Sequence, residues 1–415
     1  MPSHPAAPTC RFCFLPLVHT FCDLGMSPPS NAYLTAERLR HAEAFFPLHA
    51  FVCDGCKLVQ LEQFQAPDEI FSDYAYFSSY SQSWLRHAET YVESIIPRLS
   101  LGPASRVVEI ASNDGYLLQY FQKRGVPVLG VEPASNVAEV AKAKGIPTDV
   151  AFFGANTARR LKAEGKQANL LLGNNVLAHV PDINDFVAGM AIILAPQGTI
   201  TMEFPHLLKL MVFNQFDTIY HEHFSYLSLH TVQQIFATHG LTVFDVDEIP
   251  THGGSLRVYA RHAHEPASPP SANVSQVLND ERAAGLSDIK TYTGFQTKVQ
   301  KTKRALLSFL IDAKNSGRTI VGYGAAAKGN TLLNYCGIRN DFIDYVVDKN
   351  PHKQGRYLPG THIPIQLPER IAETRPDFLL ILPWNIQHEV VEQMASIRSW
   401  GGRFVVPIPE VKVLE

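Results

Sequence analysis

This sequence predicts an α/β protein of three parts. A small metal-binding domain comes first, a central Rossmann-like sheet follows, and a second Rossmann-like α/β unit ends the chain. Three observations carry that reading. Two CxxC pairs lie within the first sixty residues, and strand and helix patterns alternate from Arg106 to Glu203. A Pro/Ala/Ser-rich stretch from Glu265 to Ala272 then precedes a second glycine-rich strand-to-helix turn. A chain of 415 residues is long for one hydrophobic core, and we place the boundaries at 1–75, 76–264 and 265–415.

The N-terminal part is read from its thiols. Cys10-Arg11-Phe12-Cys13 and Cys53-Asp54-Gly55-Cys56 are two CxxC knuckles with 39 residues between them. Each knuckle brings two thiolates to one side of a tight loop, and two knuckles complete a tetrahedral shell for zinc. Four thiolates leave no open coordination position, so the zinc is structural rather than catalytic. Cys22 and Cys336 have no partner pattern and read as small buried hydrophobes. The aromatic segment Asp73 to Tyr80 reads as a packing loop, with Ser78 or Ser79 capping the next helix, and the alternative is that it supplies phenols to a ligand.

The middle part opens on the strand Arg106–Ala111, and Asn113-Asp114-Gly115 turns into a helical run, Tyr116 to Lys123. The strand Val128–Val131 ends at Glu132, 23 residues after Glu109. A helix at Asn136–Lys144, a strand near Asp149, the strand Leu170–Leu172 and the strand Gly198–Glu203 continue the alternation. Ligands of such sheets sit beyond the carboxyl ends of the strands, where strand order reverses. Glu132 at the second tip suits the two hydroxyls of a ribose. Glu109 at the first tip suits a cationic amino-acid end, which S-adenosylmethionine has. Glu109-x-Ala111-x-Asn113-x-Gly115 is the ExGxGxG loop of methyltransferases with two of its three glycines replaced. Asn174-Asn175 at a later tip adds to that reading.

In the C-terminal part a long helical region is expected from about Val274 to Ala313, followed by the strand Thr319–Val321. Gly322-Tyr323-Gly324-Ala325-Ala326-Ala327 is a literal GxGxxA, and Asp348 follows Gly324 by 24 residues. Those features allow a dinucleotide, and Lys328 and Thr331 favour a phosphate-bearing ligand. Packing of helix on strand explains the small residues equally well.

The densest chemistry lies at Phe216-Asp217-Thr218-Ile219-Tyr220-His221-Glu222-His223-Phe224-Ser225-Tyr226. Bulky apolar neighbours point to a walled pocket, in which imidazole moves a proton and a carboxylate or phenol tunes it. A metal site at His221 and His223, as an i, i+2 pair on a strand, lacks a third ligand nearby.

The formal charge of −3 and the lack of a basic run argue against nucleic acid and anionic membrane as partners. No apolar run nears the roughly 20 residues a bilayer span needs, and Met1–Thr9 lacks the order of a signal peptide. A cytoplasmic protein, monomeric or weakly oligomeric, is expected.

Taken together, these blocks resemble the C-methyltransferases that act on nucleotide-linked 4-keto-deoxyhexoses. The likeness spans nearly the whole chain: the double CxxC domain, VEIASNDGYLL, GVEPA, NNVLAHVPDI, FDTIYHEHFSY, THGGSLRV (Thr251 to Val258) and VGYGAAAKGNTLLNYCGI. The resemblance implies S-adenosylmethionine and zinc as cofactors and a sugar nucleotide, by family habit of thymidine diphosphate, as substrate. It implies His223 as the base that removes a proton beside the keto group, with Tyr220 and Glu222 orienting or polarising the sugar. It places Tyr76 in a loop closing over the sugar, His179 facing the substrate and Lys328 beside the diphosphate, and gives His221 no role. Where C-3 members acting on amino sugars carry an acidic pair before proline, this chain has Glu203-Phe204-Pro205. C-3 is the carbon expected to be methylated. A nicotinamide-dependent sugar-nucleotide oxidoreductase and a non-catalytic nucleotide-binding scaffold are the alternatives.

Overall fold

The computed structural model describes residues 8–66, 78–265 and 269–414, and organises them around three sheets. The central sheet has seven strands, in the spatial order Leu241–Ile249, Ser255–His262, Leu194–Pro205, Ala168–Asn174, Val107–Ile110, Val128–Val131, Thr148–Asp149. Only Ser255–His262 runs antiparallel to its neighbours. The inner parallel strands are covered on both faces, which is why they read as unbroken apolar runs. Val107, Val108 and Leu170 to Leu172 are completely buried. Strand order reverses between Val107–Ile110 and Ala168–Asn174. That places Ala111 and Asn174 on either side of the crevice where such sheets hold ligands.

The N-terminal sheet is antiparallel, in the order His19–Ser27, Phe46–Val52, Val59–Leu61, Ser225–Tyr226. Its fourth strand comes from the middle of the chain, with Val59 opposite Tyr226 and Gln60 opposite Ser225. The four knuckle thiols converge here. Sγ to Sγ distances are 3.4 Å for Cys13–Cys53 and 3.6 Å for Cys10–Cys56 and Cys13–Cys56. Four sulfurs about 2.3 Å from one ion stand about 3.8 Å apart in a tetrahedron, so the set fits zinc with a small adjustment. It is the one such cluster among the described residues. Gln60 ties it to the sheet by donating to Cys10 Sγ at 3.2 Å while its Oε1 accepts the Arg11 amide at 2.8 Å.

The C-terminal sheet runs Ile365–Gln366, Val346–Val347, Ile320–Tyr323, Phe378–Ile381, Arg403–Val406, Lys412–Leu414. All pairs are parallel except the last. Its carboxyl ends face the central crevice.

Two local expectations need correction. The helical region before this sheet is three helices, Ala272–Ala283, Ile289–Thr293 and Phe295–Asn315. Gly285 at φ +85° ends the first, and Val274 and Val277 pack into the central core. The helix Gln82–Arg98 is capped by Ser81, whose Oγ accepts the Trp84 amide at 3.3 Å, so the caps proposed three and two positions earlier are wrong. Among the described residues, no helix is long and apolar enough to cross a membrane.

Candidate active site

A single cavity of about 920 Å³ opens where the three sheets meet, lined by side chains from all of them. It lies near the upper end of the range of about 300–1,000 Å³ typical of small-molecule sites. One end is formed by the central sheet. The turn after its first strand keeps the backbone path of a glycine loop although two glycines are missing. Ala111 has φ 56°, Asn113 φ 50° and Gly115 φ 75°. A left-handed alanine costs about 1–2 kcal/mol, whereas asparagine tolerates that region. Strain of this kind is held only where surrounding contacts fix it. Here the Ala111 amide donates to the Val131 carbonyl at 2.8 Å, and the Asn113 amide donates to Glu132 Oε2 at 2.9 Å.

Glu132 also accepts the Ala134 amide through Oε1 at 2.9 Å. Burial raises its pKa while both amides hold it down, and it lines the cavity. Asn174 lines it too, donating from Nδ2 to the Tyr116 hydroxyl at 3.3 Å. Glu109 lies beneath this floor, completely buried, and is not among the lining residues. Burial, then Glu132 and Asp114, push its carboxyl well above the ordinary range. The Tyr116 hydroxyl, on the cavity wall above it, acts the other way and lowers it. Gly115 shapes the turn rather than the wall, since a Cβ there would meet Ile146 at 3.0 Å.

In the middle of the cavity stand Tyr220, Glu222, His223 and His179. The His223 ring sits 4.6 Å from that of His179 and 3.9 Å from that of Tyr220, centre to centre. Its Nδ1 donates to the Thr218 carbonyl at 2.8 Å. A carbonyl only accepts, so the proton is fixed on Nδ1 and Nε2 carries the lone pair. Burial, then the neighbouring His179, pulls the His223 pKa well below 6.5, which keeps the ring neutral and its lone pair free at physiological pH. His179 is lowered to about 4 by burial. Glu222 is raised to about 6 by burial, offset by Asn31, whose Nδ2 donates to Oε1 at 2.5 Å.

The far end is cationic. Lys328 stands in the first turn of the helix Ala327–Cys336, with Nζ 3.3 Å from Asn385 Oδ1 and 4.6 Å from the centre of the Trp384 ring. Burial lowers its pKa and Asp217 raises it. Lys353 lines the cavity as well, donating to the Ala325 carbonyl at 2.9 Å with Asp348 Oδ2 at 3.7 Å.

Comparison with known proteins now decides the family. Residues 10–71 match the family described as "Putative zinc binding domain", 84–246 "Methyltransferase domain", and 250–409 "C-methyltransferase C-terminal domain". The chain is 37% identical to C-methyltransferase NovU of Streptomyces niveus over 395 residues, covering 94% of this chain and 93% of that one. This chain is a C-methyltransferase. It uses S-adenosylmethionine, and its thiolate cluster is a zinc site. A ubiquinone biosynthesis O-methyltransferase of Bartonella bacilliformis is 29% identical over 102 residues, covering 24% of this chain and 41% of the relative. Among solved structures, the PH0226 protein of Pyrococcus horikoshii OT3 aligns with 48% of this chain and 99% of its own, at 16% identity and a TM-score of 0.38.

Several expectations meet the C-methyltransferase geometry differently. His221 and His223 lie in a turn, not on a strand, and diverge. His221 donates from Nε2 to the Pro47 carbonyl at 3.2 Å and packs against Phe46 and Phe64, which rules out a metal pair. The GxGxxA glycines are accounted for by packing: a Cβ on Gly322 would strike Val346 at 2.6 Å, and one on Gly324 would strike Pro383 at 2.6 Å. Asp348 is occupied, accepting the Ala325 amide at 2.8 Å. Glu203 is completely buried and outside the cavity. Its carboxylate holds Arg257 at 2.8 Å, His87 at 2.9 Å and the Thr251 hydroxyl at 3.0 Å. Burial would raise Glu203, yet His87 and Arg257 keep it below the usual carboxylate range. Tyr76 lies outside the described residues.

The sequence reading assigned no part to Asn31, Lys353 or His252, all of which line the cavity. Asn31 follows Pro28-Pro29-Ser30, a stretch that reads as an ordinary turn. His252 carried a signal that went unused: an imidazole directly before two glycines.

Proposed function

We propose that this C-methyltransferase alkylates a ring carbon beside the 4-keto group of a deoxyhexose linked to a nucleoside diphosphate, with C-3 the carbon we assign and thymidine the nucleoside. One observation carries the reading: a single cavity joins a ribose-type acid, Glu132, to a neutral imidazole base, His223, and then to two lysines, Lys328 and Lys353. A methyl donor placed at Glu132, followed by the acidic C–H and then the diphosphate of a sugar nucleotide, would follow that same order.

His223 Nε2 takes the proton on the carbon next to the carbonyl. The Tyr220 hydroxyl donates to the carbonyl oxygen as negative charge develops there, and such a donor counts for most when it is fixed beforehand. Glu222, held by Asn31, orients the sugar through its hydroxyls, and Lys328 neutralises the diphosphate. Glu132, Asn174 and the turn at Ala111 and Asn113 would hold S-adenosylmethionine, which would supply an electrophilic methyl for the ring carbon, with S-adenosylhomocysteine as the leaving group. The proton leaves His223 for water.

Mass spectrometry of thymidine-diphosphate-linked 4-keto-6-deoxyhexose incubated with protein and S-adenosylmethionine tests this. The expected product gains one methyl and loses one carbon-bound hydrogen. A sugar nucleotide returned unchanged, while S-adenosylhomocysteine accumulates with another acceptor, would refute it.

A further inference from the structure

We infer that His252 is a further catalytic residue, a neutral imidazole that donates a hydrogen bond to the sugar oxygen on which charge gathers during proton removal. The inference rests on the keto-sugar reading above and extends it. His252 lines the cavity. It follows the strand Leu241–Ile249, in the short turn that leads into Ser255–His262. Its backbone is left-handed, at φ 55°, a region uncommon for residues other than glycine and held in place by neighbours.

Those neighbours are specific. The preceding Thr251 gives its hydroxyl to the buried Glu203 at 3.0 Å. The following glycines have no room for a side chain. A Cβ on Gly253 would meet Trp384 at 2.5 Å, and one on Gly254 would meet Lys209 at 2.7 Å. Glu203, which stands where C-3 members acting on amino sugars carry an acidic pair before proline, is therefore a strut for this turn.

The ring is held as firmly as the backbone. Asn175 Nδ2 stands 3.0 Å from His252 Nε2 and donates to it, which leaves the ring proton on Nδ1. Among the described residues Nδ1 has no hydrogen-bond partner. Asn175 adjoins Asn174 at the tip of the strand that borders the cofactor crevice, so the ring stands on the methyl-donor side of the sugar space. Burial keeps the ring neutral, with the field of Lys328 acting the same way. A neutral donor stabilises an oxyanion without surrendering its proton to it.

Two variants test this on the full-length zinc-loaded protein. His252→Gly removes the ring and accepts the backbone angle, and His252→Asn restores an N–H on a residue that tolerates it. The readouts are kcat, KM for thymidine-diphosphate-linked 4-keto-6-deoxyhexose, and deuterium uptake from solvent at its α-carbon with S-adenosylhomocysteine bound. His252→Gly should lower kcat and deuterium uptake together by about 10² or more, the usual value of one oxyanion donor. KM and S-adenosylhomocysteine affinity should stay within threefold, and His252→Asn should recover about tenfold of the loss. A glycine variant with kcat within threefold of wild type overturns the inference. So does a defect confined to KM, or one that tracks lost cofactor affinity. Wild-type protein that takes up no deuterium overturns both this inference and the keto-sugar reading.

Discussion

The Thr218 carbonyl decides the chemistry of His223 by fixing which nitrogen carries the proton. His223→Asn should keep cofactor affinity and lower turnover by about 10²–10⁴, the usual contribution of a positioned base. Tyr220→Phe should cost less, since one hydrogen bond is lost. The sign of the pH dependence follows from the directions of the shifts. A base lowered well below 6.5 stays unprotonated through neutral pH, and Glu222, raised to about 6, gains its proton first as pH falls. The rate should be flat between about pH 7 and 8 and decline as pH drops through about 6; an acid limb centred above 7 would contradict the assignment. At the cofactor loop, Ala111→Gly should remove left-handed strain at some entropic cost, leaving stability within about 1 kcal/mol of wild type. Thermal melts and S-adenosylhomocysteine titration would show it, and a tenfold loss of affinity would mean the methyl group itself is needed. His223 was legible because imidazole, carboxylate and phenol crowd into four positions. Its tautomer was not legible, because a carbonyl five residues away sets it.

The strands and helices of the two α/β units were readable because buried parallel strands are runs of Val, Ile and Leu between turn residues. Two kinds of element escaped. The break at Gly285 lies inside a long polar-apolar pattern that mimics one helix. The strand Ser225–Tyr226 is too short to have a period of its own and exists because Val59–Leu61 offers it an edge. From sequence, the zinc knot seemed separate from the chemistry. That pairing, together with the Asn31–Glu222 hydrogen bond, ties it to His223, the proposed base, two residues from the strand. Cys53→Ser or Cys56→Ser should therefore reduce zinc content and kcat in parallel, measured on whatever protein stays soluble. Zinc-depleted protein with full turnover would show that the sheet holds its register without the ion.

At the scale of the whole molecule, the three sheets act as walls of one chamber. The residues that line the chamber are dispersed from Pro29 to Asn385, and only their meeting place reveals it, so it could not be seen from any one motif. Lys328 shows the division of labour. It stands on the C-terminal unit, yet its field reaches His223 and His252 in the central one. Lys328→Met should raise KM for the sugar nucleotide about tenfold or more while S-adenosylhomocysteine affinity is unchanged, as read by calorimetry. An unaltered KM would assign the diphosphate to another cation. A hundredfold excess of S-adenosylhomocysteine over its dissociation constant should stabilise the fold by about 2.7 kcal/mol, whereas NAD should give no shift in melting.

The borrowed strand at Ser225–Tyr226 has a practical outcome for anyone recombining such enzymes. A hybrid that takes its first sixty residues from one parent and the remainder from another would run its seam beside the wall of the cavity that holds Glu222 and His223. Productive crossovers should inherit 8–66 and 214–228 from the same parent, so that the edge and the strand that docks on it stay matched.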